Sequence, residues 1–312
     1  MKKTVSLLAV LAGAHAFASY ELMFATNHVN NSINRYDAIT GASLGSFGAG
    51  YGAYLTTGTA DKNTGTYYVG DLYSNRILKF NYSTGEFLGY FSTGSVAPFQ
   101  VELLSDGSIL AGYEGPSDYK RFRFGGTLLG TYSGTLGLNS MTQASNGFLY
   151  GVNSTGQVLR YNFVGGAPTV IASLPGYTYA GGIKAYGNTI TVTCYQDTVT
   201  TTALSVKADG TLDKILGTID LGSGNANLLW GRSVAYGHGG TVYTLVEDRT
   251  AFKNYVYSWV PGSNNIVRKL DLGINGDQYL SLGIATVVAP EPGTWAILGI
   301  GALVLVRRRN RR

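Results

Sequence analysis

Apolar and polar positions alternate along this chain in short runs, and the runs recur in similar groups. Each group carries an aromatic, or later a β-branched, anchor followed four positions on by a turn former. The pairs are Tyr36 with Thr40, Phe80 with Thr84, Phe122 with Gly126, Tyr161 with Gly165, Val206 with Gly210 and Trp259 with Ser263. Successive anchors stand 44, 42, 39, 45 and 53 residues apart. Three groups continue almost alike, as LGSF from Leu44, LGYF from Leu88 and LGTY from Leu129. A strand run precedes every anchor: YELMFAT, TYYVGDL, GSILAGY, GFLYGVN, TITVTCY and TVYTLVE. From the second group onward a further short run comes before that one. Period-two alternation predicts strands, and four strands per 40–45 residues predict the blades of a propeller.

The first group lacks its leading run, and the missing run stands at the far end of the chain as YLSLGIATVV, Tyr279–Val288. The expected fold is therefore an all-β, six-bladed β-propeller over residues 19–289, with seven blades as the competing count. A C-terminal strand would close it by becoming the innermost strand of blade 1. Closure removes the open sheet edges that make an all-β chain prone to aggregate. Strands a to d of a blade alternate in direction. The b–c and d–a loops therefore share one end of the ring, and the a–b and c–d turns share the other. Strand a of blade 1 ends at Val288 on the turn end, where the N-terminal strand also begins.

Composition fits this reading. Of 312 residues 44 are Gly and 23 are Tyr, while charged residues make up only 13%. Gly supplies turns with positive φ, and Tyr suits half-buried sheet faces. The net charge of +5 belongs to the ends. Seven of the 23 basic residues are Lys2, Lys3, Arg307, Arg308, Arg309, Arg311 and Arg312, which leaves 16 against 17 acidic residues once Glu291 is set aside. No basic run in the body could neutralise several phosphates, so nucleic acid is not an expected partner. Cys194 is the single cysteine. It allows neither an intrachain disulfide nor a cysteine metal cluster, and it reads as a small buried strand residue.

The two termini carry addresses. Residues 1–18 show a Lys pair, an apolar stretch from Val5 to Ala12 and small residues at Ala14, Ala16 and Ala18. That is the plan of a secretory signal peptide, cut by signal peptidase after Ala18 or, as the alternative, after Ala16. At the other end Pro290-Glu291-Pro292 precedes an apolar run from Trp295 to Val306 and the five terminal arginines. A helix over that run rises roughly 18 Å, a short transmembrane anchor with its arginines held on the cytoplasmic side.

This three-part order over residues 290–312 resembles the PEP-CTERM sorting signal recognised by exosortases. The resemblance implies export, temporary tethering to the inner membrane, processing near Pro290-Glu291-Pro292 by an exosortase-type enzyme, and delivery to the cell surface or extracellular matrix. The body resembles NHL and SMP-30/streptogramin-lyase-like propellers, most clearly in GTYYVGDLYSNRILKFNYSTGEFLGYF. Val206 and Trp259 depart from the aromatic anchor of the earlier blades in kind or size.

The loop end collects the candidate ligand residues. The b–c loops bring His28, Asp71, Tyr73, Glu114, Asp118, Asn153, Asp197, Glu247 and Asp248, and the d–a loops bring Tyr51, Tyr177, Tyr179, Trp230 and Tyr279. Aromatic rings beside carboxylates can stack on sugar faces and hydrogen-bond hydroxyls; the same acids can equally cap turns. Asp71, Glu114 and Asn153 occupy similar blade positions and are the residues a divalent cation would need in a lactonase-like hydrolase or lyase. No H-E-x-x-H or P-loop motif occurs. The expectation is a non-enzymatic exported protein without a cofactor, binding exopolysaccharide or a protein partner. The alternative is an exported metal-dependent hydrolase or lyase.

Overall fold

A computed structural model describes residues 19–288 apart from 113–117, 134–137, 175, 178, 196–199, 221–228, 249–252, 260–265 and 275–278. The expected signal peptide and the 290–312 segment lie outside the described residues. Six four-stranded antiparallel sheets account for the fold. In chain order the strands are β1 (Ser19–Asn27), β2 (Ser32–Asp37) and β3 (Ser43–Phe47), then β4 (Leu55–Asp61), β5 (Thr66–Asp71), β6 (Arg76–Asn81) and β7 (Phe87–Ser92). The third sheet has β8 (Gln100–Leu103), β9 (Ile109–Gly112), β10 (Tyr119–Phe122) and β11 (Leu128–Tyr132). The fourth has β12 (Leu138–Gln143), β13 (Leu149–Asn153), β14 (Gln157–Tyr161) and β15 (Thr169–Ser173). The fifth has β16 (Tyr179–Tyr186), β17 (Thr189–Tyr195), β18 (Thr200–Lys207) and β19 (Leu212–Asp220). The sixth has β20 (Leu229–Tyr236), β21 (Val242–Asp248), β22 (Lys253–Trp259) and β23 (Ile266–Ile274), and the last strand is β24 (Tyr279–Val288).

β24 does not extend the sixth sheet. It pairs antiparallel with β1 and completes the first sheet in the order β24-β1-β2-β3, with Ser19 opposite Val288 and Asn27 opposite Tyr279. The innermost strands adjoin in the cycle β24, β4, β8, β12, β16, β20 and back to β24. The ring is a six-bladed propeller fastened by its C-terminal strand.

The core lies between blades and not within any one of them. Six apolar clusters fill the six interfaces, each built from two neighbouring sheets. Alternation along β1 sends Leu22 and Phe24 toward the second sheet and Met23 and Ala25 toward the sixth. Strands with both faces covered read as continuous apolar runs, which is why every residue of β5 and β9 is buried. The periodic anchors have one shared role. Tyr36, Phe80, Phe122, Tyr161, Val206 and Trp259 each enter the interface with the preceding blade, one anchor per interface. Burying such a side chain contributes about 1.5–3 kcal/mol. Val206 and Trp259 fill the same place as the aromatic anchors, with a size suited to what faces them. A Cβ on Gly217 would stand 1.9 Å from Trp259 Nε1, so the bulky anchor of the last blade needs a glycine opposite.

The LGSF, LGYF and LGTY runs form the outer strands β3, β7 and β11, whose leading residues are largely exposed. Their closing aromatics Phe47, Phe91 and Tyr132 turn inward to the following interface. Arginines lace adjacent blades together. Arg35 Nη1 donates to Ser83 O at 2.5 Å, and Arg121 Nη1 donates to Phe163 O at 3.0 Å while its guanidinium lies 4.3 Å from the Phe163 ring. Cys194 is fully buried, and desolvation raises its thiol pKa, so it sits in the core as an unreactive small residue.

Candidate functional site

The loop end of the ring is built most completely around blades 1 and 2. β1 ends at Asn27, whose Oδ1 accepts from the backbone N–H groups of Val29 and Asn30, both at 3.0 Å. This side-chain turn carries His28 above the sheet. Asn31 follows in a left-handed conformation (φ 49°), and its Oδ1 accepts from Leu55 N at 3.1 Å, fixing the loop to the next blade. In blade 2 the b–c hairpin turns through a short 3-10 segment, Leu72–Ser74, closed by Asn75 at φ 48°. Asn tolerates that region better than most residues because its short amide bonds locally.

Asp71 holds these pieces together. Its side chain is wholly buried, and Oδ2 accepts from Arg76 Nε at 2.9 Å across the neck of the hairpin. Oδ1 accepts from the N–H groups of Ala53 and Tyr54 at 3.1 and 3.2 Å. Arg76 also donates through Nη2 to Tyr51 O at 2.9 Å and lies 4.9 Å from the Tyr90 ring. The carboxylate thus clamps the 51–54 loop onto the hairpin, with its charge matched at the site.

The clamp sets three rings in consecutive contact. His28 and Tyr54 have centroids 4.9 Å apart at an interplanar angle of 33°, and Tyr54 and Tyr73 are also 4.9 Å apart, at 49°. Tyr73 is 70% exposed, while His28 and Tyr54 are half-buried. Contributions come from the b–c loop of blade 1, the connection to blade 2 and the b–c turn of blade 2.

The other candidates divide into several kinds. Tyr51 is exposed, but its ring stacks on Phe87 at 4.3 Å and meets Phe80 edge-on, so it covers the outer part of blade 2. Asn153 turns inward on its own hairpin: Oδ1 accepts from Thr155 N, Thr155 Oγ1 and Gln157 N, and Nδ2 donates to Gln157 Oε1 at 2.9 Å. Tyr177 packs against the interface of blades 4 and 5, and burial raises its phenol pKa. Tyr179 and Trp230 lie at the loop-end starts of β16 and β20, and Glu247 near the loop end of β21. Glu114 lies outside the described residues, as do Pro290, Glu291, Pro292, the signal cleavage positions Ala16 and Ala18, and the five terminal arginines.

Two features escaped the sequence reading. Tyr54 and Arg76 were not singled out; the available signal was an acid and an arginine at the two ends of one tight hairpin. The second feature joins the inner strands near the opposite end of the ring. Lys184 Nζ reaches Glu102 Oε1 at 2.6 Å and Oε2 at 2.5 Å, and Thr142 Oγ1 donates to Oε1 at 3.2 Å. These residues come from β16, β8 and β12, so one nearly buried carboxylate ties three successive blades. Among the described residues no three His, Cys, Asp or Glu side chains come together as a metal-holding group, and no helix is long and apolar enough to cross a membrane.

The architecture defines a six-bladed β-propeller, and solved structures agree. The chain is similar to a chain of a nidogen/laminin complex (TM-score 0.65, 11% identity, 85% of this chain and 98% of that one). A protein of unknown function from Bacteroides caccae aligns with TM-score 0.60 and 13% identity over 86% and 99% of the two chains. Virginiamycin B lyase from Staphylococcus aureus aligns with TM-score 0.56 and 14% identity over 84% and 87%. Likeness at these identities concerns the fold alone. A search among curated proteins gave no match. Residues 288–312 match the PEP-CTERM protein-sorting motif. The chain therefore carries the sorting signal of an exported protein, anchored transiently in the membrane and processed by an exosortase-type enzyme.

Proposed function

We propose that this protein is a binding module for exopolysaccharide outside the cell, presented there by exosortase-type processing and without a catalytic role of its own. The observation that carries this reading is where the sorting motif begins. Its match starts at Val288, the last residue of the closing strand, and Val288 pairs with Ser19 at the turn end of the ring. Both chain ends leave from that end, so a tether at either one faces the turn end to the membrane and turns the loop end outward. The loop end also carries the consecutive ring contacts of His28, Tyr54 and Tyr73. Processing beyond Val288 leaves all four strands of the first blade in place, so the released protein keeps a closed ring.

The test has two parts. Replacing Pro290, Glu291 and Pro292 with alanine is expected to hold the protein uncut in the inner membrane, whereas the parent is released. The released parent is expected to co-sediment with the extracellular polysaccharide of the producing cells. Normal release of the triple variant, or a parent that stays in the supernatant, refutes the respective half. A hydrolase or lyase of the exported, metal-dependent kind is the competing reading, supported by the likeness to a lyase fold. Asp71 and Asn153 argue against it, because their oxygens are occupied by Arg76 and by backbone N–H groups. A stoichiometric divalent ion in the purified exported protein would favour it.

A further inference from the structure

We infer that the His28–Tyr54–Tyr73 ledge is a stacking subsite for the apolar face of a neutral pyranose, bridging blades 1 and 2. The inference rests on the reading of the loop end as the binding face and names the chemistry of its ligand. A pyranose ring offers a patch of C–H groups on one face and hydroxyls around its rim. Tyrosine and histidine rings match that mixture, with an apolar face for the patch and a polar tip for the rim. Tyr73, 70% exposed, presents the open ring, and Tyr54 and His28 continue the contact inward at 4.9 Å steps.

Rigidity distinguishes this ledge from scattered surface tyrosines. The loop carrying His28 is fixed by Asn27 and Asn31, the loop carrying Tyr54 by Asp71, and the turn carrying Tyr73 by the Asp71–Arg76 bridge at its neck. Loops already held in place lose little freedom when a ligand docks, which keeps more of the contact energy for binding. Electrostatics selects the neutral sugar. The carboxylate beneath the ledge is wholly buried and paired with Arg76, so the bridge presents no net charge to a ligand. Stacking of this kind is insensitive to salt, whereas attraction of an anionic polymer to surface cations is screened within about 10 Å at 0.1 M ionic strength.

Native affinity electrophoresis of the exported, processed protein tests this. The gels contain dextran, hydroxyethylcellulose or galactomannan as neutral probes and alginate as the anionic one. Retardation by at least one neutral polymer, unchanged at raised salt, is the expected result. Tyr73→Ala is expected to weaken that retardation about tenfold, while Tyr73→Phe retains most of it. Tyr186→Ala, an exposed tyrosine on the opposite end of the ring, is expected to leave it unchanged. Tyr73 is exposed enough for its variants to fold, and matched melting temperatures verify this. Full retardation of Tyr73→Ala, or retardation by alginate alone, overturns the ledge. If the parent still co-sediments with its own exopolysaccharide in that case, the binding reading stands without the ledge. A parent held by neither the probes nor its own polysaccharide removes both.

Discussion

Replacing Asp71 separates a structural carboxylate from a ligand-binding one. In Asp71→Ala the Arg76 guanidinium loses its 2.9 Å partner, and the N–H groups of Ala53 and Tyr54 lose their shared acceptor. Breaking a fully buried ion pair costs about 3–5 kcal/mol. Arg76 is 27% exposed and regains water, which points to the lower end of that range. Each orphaned N–H adds about 1–3 kcal/mol where the loop cannot reach solvent, and the 51–54 loop lies near the surface. The working figure for Asp71→Ala is about 3 kcal/mol of lost stability, and for Asp71→Asn, which keeps an acceptor at Oδ1, about 1–2 kcal/mol. Urea unfolding followed by tyrosine and tryptophan fluorescence measures both. A double-mutant cycle with Arg76→Ala should give a coupling of about 1–2 kcal/mol, since the two groups touch. A cost below about 1 kcal/mol for Asp71→Ala, with no coupling, would show that the carboxylate is dispensable to the fold. Asp71 would then be available as a ligand or metal group, and the case against the hydrolase reading would weaken.

Two further predictions follow from the ring and its interfaces. Truncation after residue 278 removes β24, which strips β1 of its inner neighbour and opens the inner ring, so the chain should lose its cooperative melting transition and aggregate; an unchanged melting temperature would refute closure by β24. Burial holds the phenol of Tyr132 up to about 12, partly offset by the charge of Arg121, and Tyr161 is raised in the same direction by burial. The unfolded chain releases these protons near the ordinary value of about 10 while the fold retains them, so stability is intact below pH 10 and falls as pH rises toward 12. Tyr132→Phe loses the 2.7 Å hydrogen bond to Phe163 O but should flatten this alkaline decline, as read by melting temperature against pH; a decline of unaltered slope would refute it.

Much of the fold could be read before any coordinates because its determinants are local and repeated. Each anchor sits at one strand position, and alternation sends it to one face, so a spacing of about 40–45 residues counts interfaces directly. The first blade's missing strand showed itself as an orphan run at Tyr279–Val288, and pairing with β1 satisfies its backbone. The loop end was legible as a set of residues but not as a site. Asp71 and Asn153 have the composition of ligands, yet their oxygens are taken by Arg76, Thr155 and nearby N–H groups. Nothing in one-dimensional spacing separates a carboxylate facing solvent from one buried under a loop.

By itself the amino-acid order determined the repeated blades, their closing strand and the sorting address at the C-terminus, because strand alternation, turn chemistry and a terminal motif act over a few residues; the count of six over seven came with the sheets themselves. Only the tertiary structure decided which side chains from different blades meet. His28, Tyr54 and Tyr73 touch because closure and inter-blade packing bring three separate loops to one edge. Glu102, Thr142 and Lys184 meet because three inner strands converge on the axis. Such contacts arise from the summed twist and stacking of whole sheets, which no local pattern encodes.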